Sequence, residues 1–458
     1  MAIQKIERYK IPEQNAQERA HNFDEVALGY TEELAMAEAK RCLLCKNPFC
    51  RNGCPVSVRI PEMMKAVAEG RFLDAGQIVK STNSLPSICG RVCPQEEQCE
   101  KLCIRSRIDE PVSIGAVERF VGDYMLKNAK IENNSTPTNK KVAVIGSGPA
   151  SLTCAAELAK KGVQVTIYEA FHKAGGVLTY GIPEFRLPKS LVKTEIDSVI
   201  ALGVKIEYNV VIGKTLEIDE LLQDFDAVFI GSGAGLPSFM NIPGESYNGV
   251  YSANEYLTRI NLMGAYSPDS ATPVQKGRSV CVIGAGNVAM DAARTALRMG
   301  AEKVRIVYRR GYEEMPARKE EIHHAEQEGI EFLLLSNPVE MIGENGWVNG
   351  LKCVKMELGE PDASGRRRPI AVKDSEFIVE TDMVIVALGT TPNPLIKSSC
   401  EQLATSPKGT LVVDENMMTS IKGVYAGGDA VTGAATVILA MGAGRKASES
   451  ILKSFNID

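Results

Sequence analysis

Eight of the twelve cysteines lie between Cys42 and Cys103, in two dense runs. The first run is Cys42-x2-Cys45-x4-Cys50-x3-Cys54-Pro55, and the second is Cys89-x3-Cys93-Pro94-x4-Cys99-x3-Cys103. Thiolates two to five residues apart can bind one metal centre from a single loop, and a cysteine followed by proline is typical of bacterial ferredoxin loops. The count predicts two [4Fe–4S] clusters. Clusters transfer single electrons, so the rest of the chain should contain an electron source.

Disulfides and structural zinc are the competing interpretations of these cysteines. The N-terminus, MAIQKIERYK, lacks the apolar segment of a signal peptide, which favours a reducing compartment in which disulfides are rare. Zinc sites usually pair two Cys-x2-Cys knuckles, and here Cys42 and Cys45 form the one knuckle with that spacing. Iron–sulfur ligation is favoured over zinc. The remaining cysteines stand alone and predict small core residues: Cys154, Cys281, Cys353 and Cys400.

Composition sets wider bounds. A chain of 458 residues can form two or three domains, and a formal net charge of −5 gives no electrostatic case for nucleic acid or an anionic membrane as partner. No apolar run reaches the length needed to span a bilayer. A cytoplasmic location is the expectation.

The elements that must position these groups change in type along the chain. Up to residue 130 the windows between cysteines predict helices, as in Glu32–Lys40 and Pro61–Ala75. Residues 131–140 are polar without periodicity and predict a linker. Beyond them, short β-branched runs alternate with Ala- and Leu-rich windows, which predicts parallel βαβ units.

One βαβ unit carries a dinucleotide fingerprint. The predicted strand Lys141–Ile145 leads into Gly146-Ser147-Gly148-Pro149-Ala150-Ser151, a helix, and a second strand that ends in Glu169. Glycines permit a tight turn against a pyrophosphate, the helix N-terminus stabilises its charge, and the carboxylate accepts a hydrogen bond from a ribose hydroxyl.

A second unit has the opposite charge after its second strand. The run Ser279–Ile283 precedes Gly284-Ala285-Gly286-Asn287, and the strand Lys303–Tyr308 is followed by Arg309 and Arg310. Cations at that position suit the 2′-phosphate of NADP. Further along, Val384–Gly389 and Val424–Asp429 (VYAGGD) predict strand ends, and a helix is expected from Thr436 onward.

These motifs together resemble those of the NADPH-dependent glutamate synthase small (β) subunit family. The resemblance rests on the cysteine runs, GSGPAS with Glu169, GGVLTYGIPEFRLPK (Gly175–Lys189), GAGNVAMD, YRRGYEEMPA (Tyr308–Ala317) and AGGD. The family includes the N-terminal part of dihydropyrimidine dehydrogenase and the large subunit of NADH-dependent reduced ferredoxin:NADP oxidoreductase, an electron-bifurcating enzyme.

The resemblance implies an α/β fold with three functional units. An N-terminal helical bis-[4Fe–4S] domain is followed by two Rossmann-like dinucleotide-binding domains, with the NADPH domain inserted in the FAD domain. The implied ranges are 1–130 for the iron–sulfur domain, 131–140 for the linker, 141–250 and 385–458 for FAD, and 251–384 for NADPH.

Site residues follow from the resemblance by motif position. The implied FAD contacts are Gly146, Gly148, Glu169, Gly176, Leu178, Arg186, Gly428 and Asp429, with Thr436 and Val437 at the start of a helix that faces the flavin. The implied NADPH contacts are Gly284, Gly286, Asn287, Val288, Arg309 and Arg310.

The resemblance also implies a division of the cluster ligands. One cluster would be held by Cys42, Cys45, Cys50 and Cys103, and the other by Cys54, Cys93, Cys99 and Glu118. Cys89 would then lie beside the second cluster without binding it. The alternative, in which all eight cysteines bind and Glu118 is a surface carboxylate, stays open.

The expected function is that of an NADPH-dependent flavin and iron–sulfur oxidoreductase that passes electrons from NADPH through FAD and two [4Fe–4S] clusters. The cofactors supply this chemistry, so no catalytic side chain is expected. The chain has neither an N-terminal cysteine nucleophile nor the length for a synthase barrel, so a protein partner is expected. By resemblance it is a glutamate synthase large subunit or a flavin- and [2Fe–2S]-containing small subunit. A non-enzymatic zinc-binding scaffold is the alternative from another class.

Overall fold

A computed structural model describes residues 5–130, 135–363 and 365–457. Residues 131–134 of the predicted linker lie outside this range. The remainder of the linker has no helix or strand, and the Thr138 hydroxyl donates a 3.0 Å hydrogen bond to the carbonyl of Gly162.

The first 130 residues form short helices between the cysteine loops. They are α1 (Ala16–Arg19), α2 (Glu32–Ala39), α3 (Phe49–Asn52), α4 (Ile60–Ala68), α5 (Phe72–Lys80), α6 (Pro86–Val92) and α7 (Ile114–Asn128), with 3₁₀ turns at Gln95–Glu97 and Ile104–Arg107. The predicted helix Pro61–Ala75 is two helices. Gly70 separates them because its φ of +74° ends α4 in the left-handed region.

The rest of the chain supplies all the strands of the described residues. They are β1 (Lys141–Ile145), β2 (Gln164–Glu169), β3 (Lys205–Tyr208), β4 (Ala227–Ile230), β5 (Leu236–Pro237), β6 (Val250–Ser252), β7 (Ser279–Ile283), β8 (Lys303–Val307), β9 (Glu331–Leu333), β10 (Ser336–Glu344), β11 (Trp347–Pro361), β12 (Arg367–Glu380), β13 (Met383–Val386), β14 (Thr390–Thr391) and β15 (Val424–Ala426).

Helices alternate with these strands. They are α8 (Pro149–Ala159), α9 (Val177–Tyr180), α10 (Lys189–Ile200), α11 (Ile218–Asp224), α12 (Ala253–Asn261), α13 (Asn287–Arg298), α14 (Lys319–Gln327), α15 (Leu395–Ser399), α16 (Asp429–Thr432) and α17 (Val437–Ser454), with a 3₁₀ turn at Tyr312–Glu314. In the described part of the chain, no helix combines the length and the apolar character that crossing a membrane requires.

Two parallel five-stranded sheets form the α/β part. The first sheet has the order β15-β4-β1-β2-β3, and the second has the order β6-β13-β7-β8-β9. The predicted boundaries at 250/251 and 384/385 fall inside β6 and β13. Both strands belong entirely to the second sheet, because β13 pairs in register with β6 on one side and β7 on the other.

A third, antiparallel sheet of β10, β11 and β12 projects from the second unit. It lies between β9 and β13 in the chain, and Cys353 on β11 shares a buried apolar cluster with Cys281 on β7. The long β11–β12 hairpin thereby packs against the second sheet at one end.

The helical region and the first sheet share one continuous apolar core. Buried residues such as Met63 and Ile88 from the helices belong to the same cluster as Val144 of β1 and Met441 of α17. The cysteine loops are therefore fixed relative to the first sheet by direct packing.

Candidate cluster and nucleotide sites

Four cysteines form a first cysteine group, defined as Cys42, Cys45, Cys50 and Cys103. Cys42 follows α2, Cys50 lies in α3, and all four sulfur-bearing side chains line one pocket near the surface. Burial and then the neighbouring sulfurs raise the pKa of Cys42 to about 11 and that of Cys50 to about 12. The chain brings together four thiols whose charged forms a bound cationic metal centre would stabilise.

A second cysteine group consists of Cys54, Cys93 and Cys99 together with Glu118 of α7. Burial, and after it the charge of Glu118, raises the pKa of Cys54 to about 11. Glu118 is itself 8% exposed, and burial raises its pKa to about 7. The predicted carboxylate is thus an interior residue among the sulfurs, and the idea that it lies on the surface is wrong.

Cys89 also adjoins the second group. Its side chain is fully buried, donates to Asn83 Oδ1 at 3.6 Å, and lies 3.4 Å from Met441 Sδ, while Cys93 is close enough for a hydrogen bond between the two thiols. Both Cys89 and Glu118 are therefore near the three other sulfurs, and the choice of eighth ligand stays a prediction.

The distances between the cysteine sulfurs bear on whether zinc or a larger cluster binds. A tetrahedral zinc with Zn–S bonds of about 2.3 Å holds its sulfurs about 3.8 Å apart. Among the described residues, one group of three His, Cys, Asp or Glu side chains has all its ligand atoms within 4.8 Å of one another. Its members are Glu13, Glu320 and His324, and it contains no cysteine. The cysteine groups are wider than a zinc site requires, which suits a larger cluster. All twelve cysteines are free of disulfides.

The first glycine turn, residues 146–151, joins β1 to α8. Gly146 has φ +86°, and a Cβ there would lie 2.8 Å from the carbonyl oxygen of Gly231. A Cβ at Gly148 would meet no atom within 4 Å, so the uncapped N-terminus of α8 faces open space. This is the arrangement that accepts a pyrophosphate.

The acid at the end of β2 closes the same pocket. Glu169 is 5% exposed and accepts hydrogen bonds from the backbone NH and the hydroxyl of Ser147. The Ser147 hydroxyl in turn accepts a 2.9 Å hydrogen bond from the NH of Gly175. The turn, the acid and the Gly175-Gly176 loop therefore meet at one place, which fits an FAD adenosine and pyrophosphate.

The C-terminal segment completes this pocket. Gly428 lies against Ala150 of α8 and Ala440 of α17, and Asp429 accepts a 3.2 Å hydrogen bond from the NH of Ala435. Burial raises the pKa of Asp429 to about 6. The Thr436 hydroxyl caps α17 by accepting from the NH of Leu439 at 3.4 Å. Leu178 is fully buried in the adjoining α9.

Arg186, an implied FAD contact, forms ion pairs with two acids of the other α/β unit. Its guanidinium donates to both oxygens of Asp291 at 2.7 Å and pairs with Glu321 at 3.0 Å. Both acids belong to the unit of the second sheet. Its side chain is 8% exposed and its charge is satisfied by these pairs, so the structure places Arg186 at the junction between the two sheets.

The second glycine turn, residues 284–287, joins β7 to α13. Gly284 has φ +126°, and a Cβ there would lie 2.5 Å from the carbonyl oxygen of Ala387. Gly286 precedes α13 without a side-chain cap, and Val288 is 47% exposed on the first turn of the helix. The turn fits the pyrophosphate of a second dinucleotide.

The two arginines after β8 differ in their surroundings. Arg309 is exposed and makes no hydrogen bond or ion pair to another described residue. Arg310 is 7% exposed, donates to the carbonyl oxygen of Arg367 at 2.8 Å, and pairs with Asp362 at 2.6 Å. Arg309 is available to a 2′-phosphate, whereas Arg310 fixes the tip of the β11–β12 hairpin.

Three residues of these sites were missed in the sequence. Ser147 orients Glu169, Met441 touches Cys89, and Tyr180 lies near Asp429 and Glu169, where burial raises its pKa to about 12. Ser147 and Tyr180 stand inside quoted motifs, so their positions were a usable signal. Met441 had none.

Comparison with known proteins identifies two family matches. Residues 19–130 match the family described as dihydropyrimidine dehydrogenase domain II, 4Fe-4S cluster. Residues 140–444 match the pyridine nucleotide-disulphide oxidoreductase family.

Two relatives match nearly all of the chain, and a solved structure matches 70% of it. The glutamate synthase [NADPH] small chain of Halomonas elongata is 38% identical over 96% of this chain and 95% of the relative. The NADP(+)-dependent formate dehydrogenase subunit beta of Moorella thermoacetica is 39% identical over 91% of this chain and 62% of the relative. The structure of Mycobacterium tuberculosis FprA in complex with NADPH has a TM-score of 0.58 at 20% identity, over 70% of this chain and 85% of that one.

Proposed function

The chain belongs to the glutamate synthase [NADPH] small-subunit family of flavin and iron–sulfur oxidoreductases, and we propose that it passes electrons from NADPH to a partner subunit. In this proposal FAD binds at the first sheet, NADPH binds at the second, and the two cysteine groups each hold a [4Fe–4S] cluster. When bound, the flavin accepts hydride from NADPH and the clusters carry single electrons.

The residues of the chain bind and align these groups. Glu169 and the first glycine turn would hold the FAD adenosine and pyrophosphate, and the N-terminus of α17 would face the flavin ring. The second glycine turn and Arg309 would hold NADPH. The proposed units are 141–249 with 387–457 for FAD and 250–386 for NADPH, so that β6 and β13 stay with their own sheet.

The observation that carries the proposal is the packing of α17 against Cys89 and against the backbone beside Cys54. Met441 lies 3.4 Å from Cys89 Sγ, and a Cβ at Gly442 would lie 3.1 Å from the carbonyl oxygen of Pro55, next to Cys54. Arg445 donates to the carbonyl oxygens of Val56 and Thr82 at 3.3 and 3.1 Å. One helix thus joins the proposed flavin site to the second group.

The two cysteine groups lie in sequence from the interior to the surface. Cys93, Cys99 and Glu118 of the second group are 6%, 8% and 8% exposed, whereas Cys54 and the four cysteines of the first group are half-buried. Cys50 is among the neighbours whose charge acts on Cys99, so the groups adjoin. Electrons that leave the flavin would pass through the second group and exit through the first.

The exit lies at an apolar surface. Phe49 and Leu102 line the pocket of the first group, Leu44 precedes Cys45 in the chain, and Leu44, Phe49 and Leu102 are 47%, 56% and 42% exposed. Large exposed side chains around a redox centre are typical of a docking surface. We name Leu44, Phe49 and Leu102 the exit surface and propose that the electron-accepting subunit docks there, with a glutamate synthase large subunit as the first candidate.

Substitution in the exit surface tests this proposal. Phe49→Asp should leave NADPH-dependent flavin reduction intact and abolish capture of the partner from the native cell. Ile378→Asp, at a 62% exposed position on the distant β12, is the matched control and should capture it. Equal capture by both variants would contradict the proposed exit. Capture of a flavin- and [2Fe–2S]-containing subunit would instead favour the second candidate.

The alternative function, a non-enzymatic zinc-binding scaffold, is tested on the purified protein. A yellow-brown protein that NADPH bleaches supports the oxidoreductase, and a colourless protein containing zinc would eliminate it.

A further inference from the structure

We propose that Arg318 is a positioning residue that couples dinucleotide binding at the second glycine turn to the second cysteine group. The inference rests on the proposed function, because it assumes NADPH at that turn and a cluster at that group. It concerns a direct connection between the two sites that does not pass through the flavin.

The backbone of Arg318 is attached to the second glycine turn. The NH of Arg318 donates a 2.9 Å hydrogen bond to Asn287 Oδ1, and the NH of Ala317 donates to the carbonyl oxygen of Ala285 at 3.2 Å. Pro316 lies against Gly286. A dinucleotide that moved or rigidified the turn would act directly on the backbone of this segment.

The side chain of Arg318 reaches the loop between Cys93 and Cys99. Its Nη2 donates to Gln95 Oε1 at 3.0 Å, and its Nε and Nη2 donate to the Glu96 carboxylate at 3.0 and 3.2 Å. Gln95 and Glu96 form the 3₁₀ turn inside that loop. Arg318 is 9% exposed and its bond to Gln95 is buried, so that bond competes little with water, whereas the bonds to Glu96 are part-buried.

Gln95 extends the connection to the helices of the second group. Its Nε2 donates to the carbonyl oxygens of Cys89 and Gly90 in α6 at 3.4 and 3.3 Å. Its side chain also fills the space beside Gly115, three residues before Glu118 in α7. Asn287, Arg318 and Gln95 therefore link the glycine turn by hydrogen bonds to α6 and to the loop between Cys93 and Cys99 of the second group.

Arginine suits this position for a geometric reason. Its planar fork donates to Gln95 and Glu96 together, while the Glu320 carboxylate 2.8 Å away supplies a further charge partner. A lysine would keep the charge and lose the fork. The contacts of Arg318 with Gln95 and Glu96 should therefore depend on the shape of the guanidinium as well as on its charge.

Other ion pairs hold the domains together when the contacts of Arg318 with Gln95 and Glu96 are lost. Arg186 pairs with Asp291 and Glu321, and Arg19 pairs with Glu328 at 3.1 Å. Removal of the Arg318 side chain should leave the domain arrangement in place, so its effect on the clusters can be measured in folded holoenzyme.

Coupling between two sites is reciprocal in binding free energy. If a bound dinucleotide changes the cluster potential, the oxidation state of the cluster must change dinucleotide affinity by the matching amount. For a one-electron couple, a tenfold change in affinity corresponds to about 59 mV.

The test measures cluster midpoint potentials by electron paramagnetic resonance with and without 2′-phospho-ADP-ribose, which has the pyrophosphate but no nicotinamide to reduce. We expect the probe to shift one cluster potential in the wild-type holoenzyme, by about 59 mV for a tenfold coupling. Arg318→Gln should abolish the shift at full iron and flavin content, and Arg318→Lys should restore part of it. Arg278→Gln, which removes an exposed ion pair with Glu302, is the control that should retain it.

Gln95→Met provides a second route if Arg318→Gln loses iron, since it removes one acceptor and leaves Arg318 and Glu96 in place. This variant should diminish the shift. An undiminished shift in these variants, or no shift in a wild-type protein that binds the probe and holds both clusters, would overturn the inference. Failure of the wild-type protein to bind the probe or to hold clusters would instead overturn the proposed function.

Discussion

The Asn83 amide donates a 2.7 Å hydrogen bond to Glu118 Oε1 beside the second cysteine group. Asn83 Oδ1 meanwhile accepts from the Cys89 thiol at 3.6 Å and from the NH of Leu85 at 3.0 Å. One side chain thus fixes the carboxylate and engages Cys89 as a donor. Asn83 therefore contacts both candidates for the eighth ligand, and the assignment of that role to Glu118 stays a prediction.

The first prediction tests that choice. Cys89→Ser should retain the iron content of the wild-type protein, because serine keeps the hydrogen bond to Asn83 and no metal bond is lost. Cys93→Ser, four positions further along the same cysteine run, should lose one cluster's iron. Iron analysis of the two purified variants is the measurement, and loss of a cluster in Cys89→Ser would show that Cys89 is a ligand.

The second prediction concerns the two arginines after β8. Arg309→Ala should raise the KM for NADPH about 10- to 100-fold with little change for NADH, as expected for loss of a hydrogen bond to a charged phosphate. Arg310→Ala should affect both nucleotides, because it releases Asp362 and the hairpin tip. Steady-state kinetics with both coenzymes separates these outcomes, and an equal loss for NADPH and NADH in Arg309→Ala would contradict the assignment.

A third prediction concerns the N-terminal segment. Arg19 is 2% exposed and forms a 3.1 Å ion pair with Glu328. It also donates a 2.6 Å hydrogen bond to Oε1 of Gln327, the last residue of α14. Arg19→Met should weaken docking of this segment by about 3 kcal/mol, the lower end of the range for breaking a buried ion pair, because Arg294 and Arg298 still neutralise Glu328.

Hydrogen exchange measures that loss locally. Amides around α1 should exchange faster in Arg19→Met, whereas Arg278→Met, which removes an exposed pair with Glu302, should match the wild-type protein. Unchanged protection in Arg19→Met would show that the buried pair does not hold the segment.

A fourth prediction is a pH dependence. Burial lowers the pKa of Lys189 from 10.5 to about 8, and its Nζ donates to the carbonyl oxygens of Ile182 and Leu187 at 2.6 Å. Between pH 8 and 10.5 the unfolded chain holds this proton and the folded chain does not, so this group makes stability rise with pH across that window, by up to about 3 kcal/mol.

Lys189→Met removes the effect. Thermal unfolding from pH 7.5 to 10.5 should show a shallower increase, or a steeper decrease, for the variant than for the wild-type protein. Parallel curves would contradict the lowered pKa.

Site residues that lie close together within one sequence motif could be predicted from the sequence. The two glycine turns and Glu169 could be anticipated because turns and strand ends depend on local residue types, whereas the division of the cysteines came from the family resemblance and stays a prediction. The break at Gly70 was missed because a single glycine inside an amphipathic window is compatible with a helix until its φ is known.

Contacts between distant residues could not be anticipated. Arg186 matched an FAD motif, yet its partners Asp291 and Glu321 lie more than 100 residues away and were identified by packing alone. Arg310 and Asp362, 52 residues apart, and Arg318 and Gln95, 223 residues apart, were likewise identified by packing alone. The strands β6 and β13 were divided between domains because their sheet membership depends on pairing, which a single strand does not encode.

The central claim is that one chain takes electrons from NADPH and delivers them to two clusters. Anaerobic titration of the purified protein with NADPH, followed by absorbance and electron paramagnetic resonance, tests it most directly. We predict about eight iron atoms per chain, bleaching of a bound flavin, and the appearance of reduced [4Fe–4S] signals. A protein that contains zinc in place of iron, or whose flavin and clusters stay oxidised in excess NADPH, would contradict it.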